Sequence, residues 1–256
     1  MRISRIILLL MISCSLLKAQ VNTEALRKFE LSPGLHSRVN FSISYQSGNT
    51  NLYKIRTGLR SDYLRGKYHF FGVLDYQQGE KDDSRYTNKG FIHLRGQKSI
   101  NNRLAVESFI QKEFDEFIML SDRNLAGSGL RYSVIQKKSD GNGSRELKTY
   151  LGTGIMFENE SYNDDIEPEQ NLLRTTNYVG LIWKKDENVR FQLISYFQAA
   201  FEDFSDYRVL SEGNISFNVT SRLIIAIMIN HRYDNNPLKE VKNSDLEITN
   251  GIEFLF

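Results

Sequence analysis

From Arg38 to the last residue the chain alternates apolar and polar side chains, in about twelve runs of roughly ten residues each. A period of two belongs to a β-strand, because successive side chains leave a strand on opposite faces. "RVNFSISYQ" puts Val39, Phe41, Ile43 and Tyr45 on one face, with Asn40, Ser42, Ser44 and Gln46 on the other. "LYKIRTGLRSDYL" sets Tyr53, Ile55, Leu59 and Tyr63 against Lys54, Arg56, Arg60 and Asp62. "YHFFGVLDYQ" sets Tyr68, Phe70, Leu74 and Tyr76 against His69, Asp75 and Gln77. The pattern returns near 88–97, 104–114, 124–135, 147–158, 174–184, 189–202, 208–218, 223–233 and 245–256. Pro33, Pro168 and Pro237 are the only prolines, and all fall outside these runs, as a hydrogen-bonded ladder requires.

The two faces differ in charge. Lys112, near a strand end, is the one charged residue on the apolar face, joined there by His231. The other face carries Lys54, Arg56, Arg60, Asp62, Asp75, Arg95, Glu107, Glu113, Arg131, Lys148, Arg174, Arg190, Glu202, Arg208, Glu212, Arg232, Asp245, Glu247 and Glu253. Tyr63, Phe70, Trp183, Phe191, Phe217 and Phe254 gather at one set of strand ends, and Tyr76, Phe114, Phe157, Phe201 and Tyr233 at the other. Two aromatic belts flanking aliphatic side chains fit a bilayer. The expected fold is all-β: an antiparallel up-and-down transmembrane β-barrel of about 12 strands, residues 38–256. A soluble periplasmic β-barrel or sandwich is the alternative, since it also alternates.

The connections support the barrel. "LRGK", "KDEN" and "TSR" are short, whereas "GEKDDSRYT", "NESYNDDIEPEQN" and "DNNPLKEVKNS" are longer and more polar. Short periplasmic turns and longer outer loops place both termini in the periplasm. "SGNTN" and "KKSDGNGSR" fit this scheme poorly.

The first residues set the compartment. Arg2 and Arg5 precede an apolar run from Ile6 to Leu17 that ends at Lys18-Ala19-Gln20, the layout of a secretory signal peptide over 1–20. Residues 21–37 then form a short periplasmic segment. "MISC" also loosely matches a lipobox, which would make Cys14 a lipidated first residue. Cys14 is the only cysteine, so the mature chain has no cysteine-based metal site or nucleophile. Thirty-three basic residues against 31 acidic ones leave a net charge of +2, which gives no electrostatic case for a nucleic-acid partner. The chain ends on "TNGIEFLF", an alternating ladder with no polar tail. That end is expected to pair with the first strand and close the barrel, because an open edge in lipid leaves backbone groups unsatisfied. A terminal Phe256 on the lipid face resembles the signal read by the barrel-insertion machinery. Expected partners are therefore outer-membrane lipids and, during assembly, that machinery.

"SGNTNLYKIRTGLRSDYLRGKYHFFGVLDYQQGE", "FIQKEFDEFIMLSDRNLAGSGLRY" and "LLRTTNYVGLIWK", with the terminal ladder, resemble the salt-induced outer-membrane protein family, a YdiY-like family of unknown function. Gly48-Asn49-Thr50, Asp122-Arg123 and Leu173-Arg174 are the specific points of likeness. The "KAQ" end of the leader and the Lys/Asn-rich style look like those of a Bacteroidota member. The resemblance implies an outer-membrane barrel. It implies no activity, no cofactor and no catalytic residue.

The residues themselves offer little chemistry. His36, His69, His93 and His231 stand in no metal-binding spacing, so no metal or cofactor site is expected. His69 is expected opposite Asp62, and His93 opposite Glu107, as interior pairs. With "LRGK" as a turn, Tyr63 should face Tyr68 and Arg56 should face Asp75. With "TSR" as a turn, Ser211 should face His231, Phe217 should face Ile225 and Arg208 should face Asp234. A lipid-facing Ser211–His231 pair would allow an outer-membrane lipid hydrolase, an imidazole taking the serine proton. No third group orients His231; Asn250 is the nearest and sits too deep. The acidic pairs Asp82-Asp83 and Asp164-Asp165 read as solvated loop residues. Gly127, Gly129, Gly152 and Gly154 point inward and make room for side chains such as Arg131 and Tyr150. The chain therefore reads as a non-enzymatic barrel with a charged, largely filled lumen, serving as a narrow pore or as an envelope-structural or stress-response barrel.

Overall fold

The computed structural model describes residues 32–139, 145–163, 169–220, 223–238 and 241–254. The signal-peptide reading, the Asp164-Asp165 pair and the placement of Phe256 lie outside them. The fold is one twelve-stranded antiparallel sheet in strict chain order. Its strands are β1 (Gly34–Gln46), β2 (Leu52–Arg65), β3 (Tyr68–Lys81), β4 (Ser84–Ser99), β5 (Leu104–Asp115), β6 (Leu120–Ser139), β7 (Arg145–Tyr162), β8 (Gln170–Lys184), β9 (Val189–Ala199), β10 (Tyr207–Asn218), β11 (Leu223–Asp234) and β12 (Ser244–Phe254). The all-β, up-and-down architecture is the one the periodicity predicts. β1 begins and β12 ends at the same end of the sheet, called the inner end below.

The sheet curls around one interior. Tyr178 of β8 donates its hydroxyl hydrogen to Glu107 of β5 at 3.1 Å, and Arg208 of β10 donates to Glu158 and Glu160 of β7 at 2.8 Å. Strands three apart in the sheet can touch this way only across a cylinder. The faces follow the expected phase. Val39, Phe41, Ile43, Ile110, Ile155, Ile248 and Ile252 are all more than half exposed on the outer face. His93, Glu158 and Arg174 are at most 1 % exposed on the inner one. Among the described residues β1 and β12 share no register, so the expected closing pair is not formed there.

Glycine permits the curl where interior side chains crowd. Tyr150 faces Gly180 and Tyr178 faces Gly152 in the β7–β8 register. A Cβ at Gly180 would lie 2.1 Å from the Tyr150 ring, and one at Gly152 would lie 1.9 Å from the Tyr178 ring. Each tyrosine covers the opposite strand's backbone because no side chain stands there. Gly129 and Gly154 also pair directly, and a Cβ on either would strike backbone at 2.5 or 2.4 Å.

Several connections are tighter than expected. Asp82 and Asp83, at φ 47° and 62°, make a two-residue turn between β3 and β4. Positive φ at both central positions is the type I′ signature, whose twist matches the flanking strands. "GEKDDSRYT" is therefore mostly strand, not a long loop. Gly66 and Lys67 turn β2 into β3, so Tyr63 faces Phe70 rather than Tyr68. The turn is two residues shorter than the four-residue "LRGK" reading, which shifts the register by two. β9 stops at Ala199, leaving Glu202 exposed in the next connection rather than inward.

Rings buried as deeply as Tyr150, 2 % exposed, have no room to yield. Gly180→Ala should therefore destabilise the protein by about 1–3 kcal/mol. Gly213→Ala, whose Cβ would meet nothing within 4 Å, should change stability by less than about 0.5 kcal/mol. Equilibrium unfolding in urea from detergent micelles would measure both.

Candidate functional site: a charged interior

The interior is built from alternate residues of β3–β11. Toward the outer end it holds four arginines. Arg123 of β6 reaches Glu113 at 2.8 Å, Glu158 at 2.5 Å and Glu160 at 2.8 Å. Arg174 of β8 bonds Glu158 through Nε at 2.8 Å and grips Asp206 through both Nη atoms at 2.9 Å. Arg208 of β10 bonds Glu158 and Glu160 through Nη1 at 2.8 Å, and Asp234 through Nε at 2.8 Å. Arg232 of β11 lies 3.5 Å from Asp234 and 3.8 Å from Asp245. Glu158 thus serves three arginines at once. A planar guanidinium with five donors suits such sharing, since each carboxylate takes only one edge of it.

A second group extends the network toward β4. Glu113 accepts from Gln111 at 2.6 Å, and His93 pairs with Gln111 at 3.0 Å. Arg95 donates to His93 at 3.3 Å and to Glu107 at 3.2 Å, and its guanidinium stacks 5.1 Å above the Phe109 ring. Hydrogen bonds therefore run without a break from β4 to β11. Nearer the inner end Tyr150, Tyr178, Ile182, Ile194, Tyr196 and Leu210 form a buried apolar cluster. At the outer mouth Ile118 and Leu120 pack with Tyr162 and Val241. Beneath them a cavity of about 30 Å³, lined by Glu113, Arg123, Glu160, Arg208, Arg232 and Asp234 among others, has room for one water.

The wall opposite is open. On β1 the inward Asn40, Ser42, Ser44 and Gln46 are exposed. Arg56 and Asp75 bond at 3.3 Å with side chains 49 % and 30 % exposed.

The outer face handles its polar groups differently. Ser37 bonds Ser61 at 2.9 Å, Ser108 bonds Ser128 at 3.1 Å, Thr153 donates to Asn177 at 2.7 Å and Ser195 bonds Ser211 at 2.7 Å. Each hydroxyl finds a neighbour across the strands, which in water would gain little and in hydrocarbon removes an unsatisfied group.

The expected pairs can be placed one by one. Ser211 faces His231, Phe217 faces Ile225 and Arg208 faces Asp234, as the "TSR" turn requires. Ser211 and His231 are nonetheless bonded elsewhere, to Ser195 at 2.7 Å and to Ser244 at 3.2 Å. Asn250 faces Ile227, four residues along the sheet from His231. His69 meets Asp62 at 3.1 Å, but diagonally, because its register partner is Leu64. Arg56 meets Asp75 diagonally for the same reason. His93 faces Gln111, not Glu107. The four-residue Ile100–Arg103 connection sets that register, and Arg95 stands between His93 and Glu107. His36 bonds Ser32. Among the described residues no three His, Cys, Asp or Glu side chains are grouped to hold a metal.

Arg123, Glu158 and Glu160 were absent from the inward set read off the sequence. β6 and β7 run past the ends assigned to them, and these residues stand on or beyond those ends. Continued alternation in Glu158-x-Glu160-x-Tyr162 is the signal that would have found them.

The model of a protein family of unknown function, DUF481, matches residues 39–256. No curated protein matches. A solved structure of the NanC porin aligns with a TM-score of 0.46 at 9% identity, covering 87% of this chain and 99% of that one.

Removing one member of a buried ion cluster leaves charges without partners, which costs about 3–5 kcal/mol. Glu158→Ala, which strips a carboxylate from three arginines, should lose that much in urea unfolding. Asp75→Ala, in a half-wet pair, should lose only about 0–1 kcal/mol.

Proposed function

The chain belongs to the DUF481 family, and we propose that it is an outer-membrane β-barrel with a lumen largely closed by its own side chains. It serves as a narrow, weakly selective pore or as an envelope-structural barrel, with both termini in the periplasm. One observation carries this reading: the molecule is inside-out by the standard of a soluble protein. Large apolar side chains such as Ile110, 56 % exposed, and Ile252, 67 % exposed, face outward. Arg174 and Glu158 are buried at 1 % and 0 %. A soluble β-sandwich hides its apolar face in a core, and an apolar band this extensive would aggregate in water. In a bilayer the same band is the solvated face.

The interior decides what can pass. Acids and bases are interleaved, so no single-sign path exists that would select ions. The network and the tyrosine–isoleucine cluster occupy the β3–β11 side. Solute movement is left the polar strip along β12, β1 and β2, where Ser42, Ser44, Lys54, Arg56 and Glu247 face inward.

Conductance of the refolded protein in a planar bilayer tests the reading. It should be small or absent, far below that of a general porin. The Arg56→Ala/Asp75→Ala double variant should raise it while folding persists, because that pair narrows the open strip. A large conductance in the unmodified protein, unchanged by the double replacement, would overturn the closed lumen. The membrane assignment has its own check. Leu74, which lies between Leu59 and Ile92 on the outer face, should cost about 2–4 kcal/mol when replaced by Arg at mid-bilayer. Urea unfolding from lipid vesicles showing no loss would place that face in water.

A further inference from the structure

β1 and β12 are the two edges of the sheet, and the described residues give them no common register. We infer that these edges pair with each other within one chain, in the register that sets Ser42 opposite Thr249. The inference rests on the barrel reading alone and is independent of whether the lumen conducts.

The existing registers carry the argument. A step straight across the sheet from Ser244, at the outer end of β12, passes through Val209, Asn177, Leu130 and Lys98 and reaches Arg65 on β2. Leu64 faces Gly34, so Arg65 is level with Pro33, at the inner end of β1. The same straight line thus leaves one edge at its outer end and arrives at the other edge at its inner end. A closed barrel has this property, and the displacement along the strand is its stagger. Twelve strands about 4.7 Å apart span about 56 Å. A tilt of about 35–45° displaces the closing strand by about 40–56 Å, or about 12–17 residues at about 3.3 Å each.

The faces narrow the choice. Leu246, Ile248 and Ile252 point outward on β12, as do Val39, Phe41 and Ile43 on β1. Only even displacements bring these sets to the same side, which leaves about 12, 14 or 16 residues. The strand ends choose among these. A displacement of about 14 residues sets Gln46, where β1 ends, against Asp245, where β12 has just begun. The shorter value puts Gln46 beyond the start of β12, and the longer one leaves Ser244–Leu246 without partners. The middle register also places Ile43 beside Ile248 on the lipid side.

Cysteine cross-linking reads the register directly. Cys14 is the chain's one native cysteine, so a Cys14→Ser background is free of thiols. In that background Ser42→Cys would be combined with Thr249→Cys, with Glu247→Cys or with Gly251→Cys, and each variant oxidised in outer membranes. Directly opposed residues meet disulfide geometry, whereas a shift of two residues separates the Cα atoms beyond it. The 42/249 pair should form an intramolecular disulfide at least about tenfold faster than either shifted pair. Faster closure of a shifted pair would overturn the register. Disulfide-linked dimers would mean that the edges pair between two copies. No cross-link in any variant, in protein whose unheated gel band shows it folded, would mean that the seam stays open. Absence of a folded band from the membrane fraction in the unsubstituted protein would overturn the barrel reading beneath all three.

Discussion

The pleat of the sheet governs everything else in this protein. Neighbouring side chains on a strand cannot face the same way, so a single sheet of twelve strands must have two faces in two different surroundings. The chain resolves this by giving each face its own way of satisfying polar groups. Outside, the few hydroxyls pair with each other, as Ser108 does with Ser128. Inside, charges pair with charges. A lone serine among alkyl chains is tolerable once bonded, whereas an ion at mid-bilayer would be costly, and the outward Lys112 stands near a strand end, paired with Asp122 at 3.0 Å. An apolar interior would fill the cylinder more cheaply but would leave nothing to fix one strand against its third neighbour.

Buried ion pairs are weak evidence for stability in general, because desolvation offsets the attraction. Here their arrangement reduces that penalty. Glu158 is shared by three guanidinium groups, Arg208 spans three carboxylates, and Tyr162 adds a donor to Glu160 at 2.6 Å. Each ion is solvated by several partners at once, as water would have done. The result specifies geometry more than it adds free energy. Arg174 must stand where both Glu158 and Asp206 can be reached, which fixes β7, β8 and the connection after β9 relative to one another.

Strand number, strand order and facing were legible in the sequence because each depends only on period two. The β10–β11 register was legible as well, since "TSR" leaves the chain few ways to turn. The β2–β3 register was not. A turn of two residues or four fits "LRGK" equally well on paper, and the Gly66 conformation, φ 57°, decides it. His93 illustrates a different limit. Its own strand was assigned correctly, but its partner depended on the length of a connection whose backbone bonds, such as Ile100 to Leu104 at 2.8 Å, are invisible in composition. Arg123, Glu158 and Glu160 of the ion network were missed because strands were ended where alternation of apolar residues faded. In a barrel the wall continues past the apolar band, and the residues that plug the mouth stand on that continuation.

The meander order has a kinetic consequence. Every recorded register joins strands adjacent in the chain, so each hairpin can form with only a short loop to close. Contacts of this kind form early, because little chain entropy is lost before they are made. The seam between the first and last strands is the exception, separated by nearly the whole length of the wall. Its closure resembles ring formation from a long polymer, where the cost rises only slowly with length, about 0.6 kcal/mol for each doubling. What makes such a ring slow is the search for alignment. The salt bridge from Arg208 on β10 to Glu160 on β7 bends the growing ribbon before its ends meet. A chain assembled in this order would arrive at its last step already curved, with the two free edges held within reach of each other.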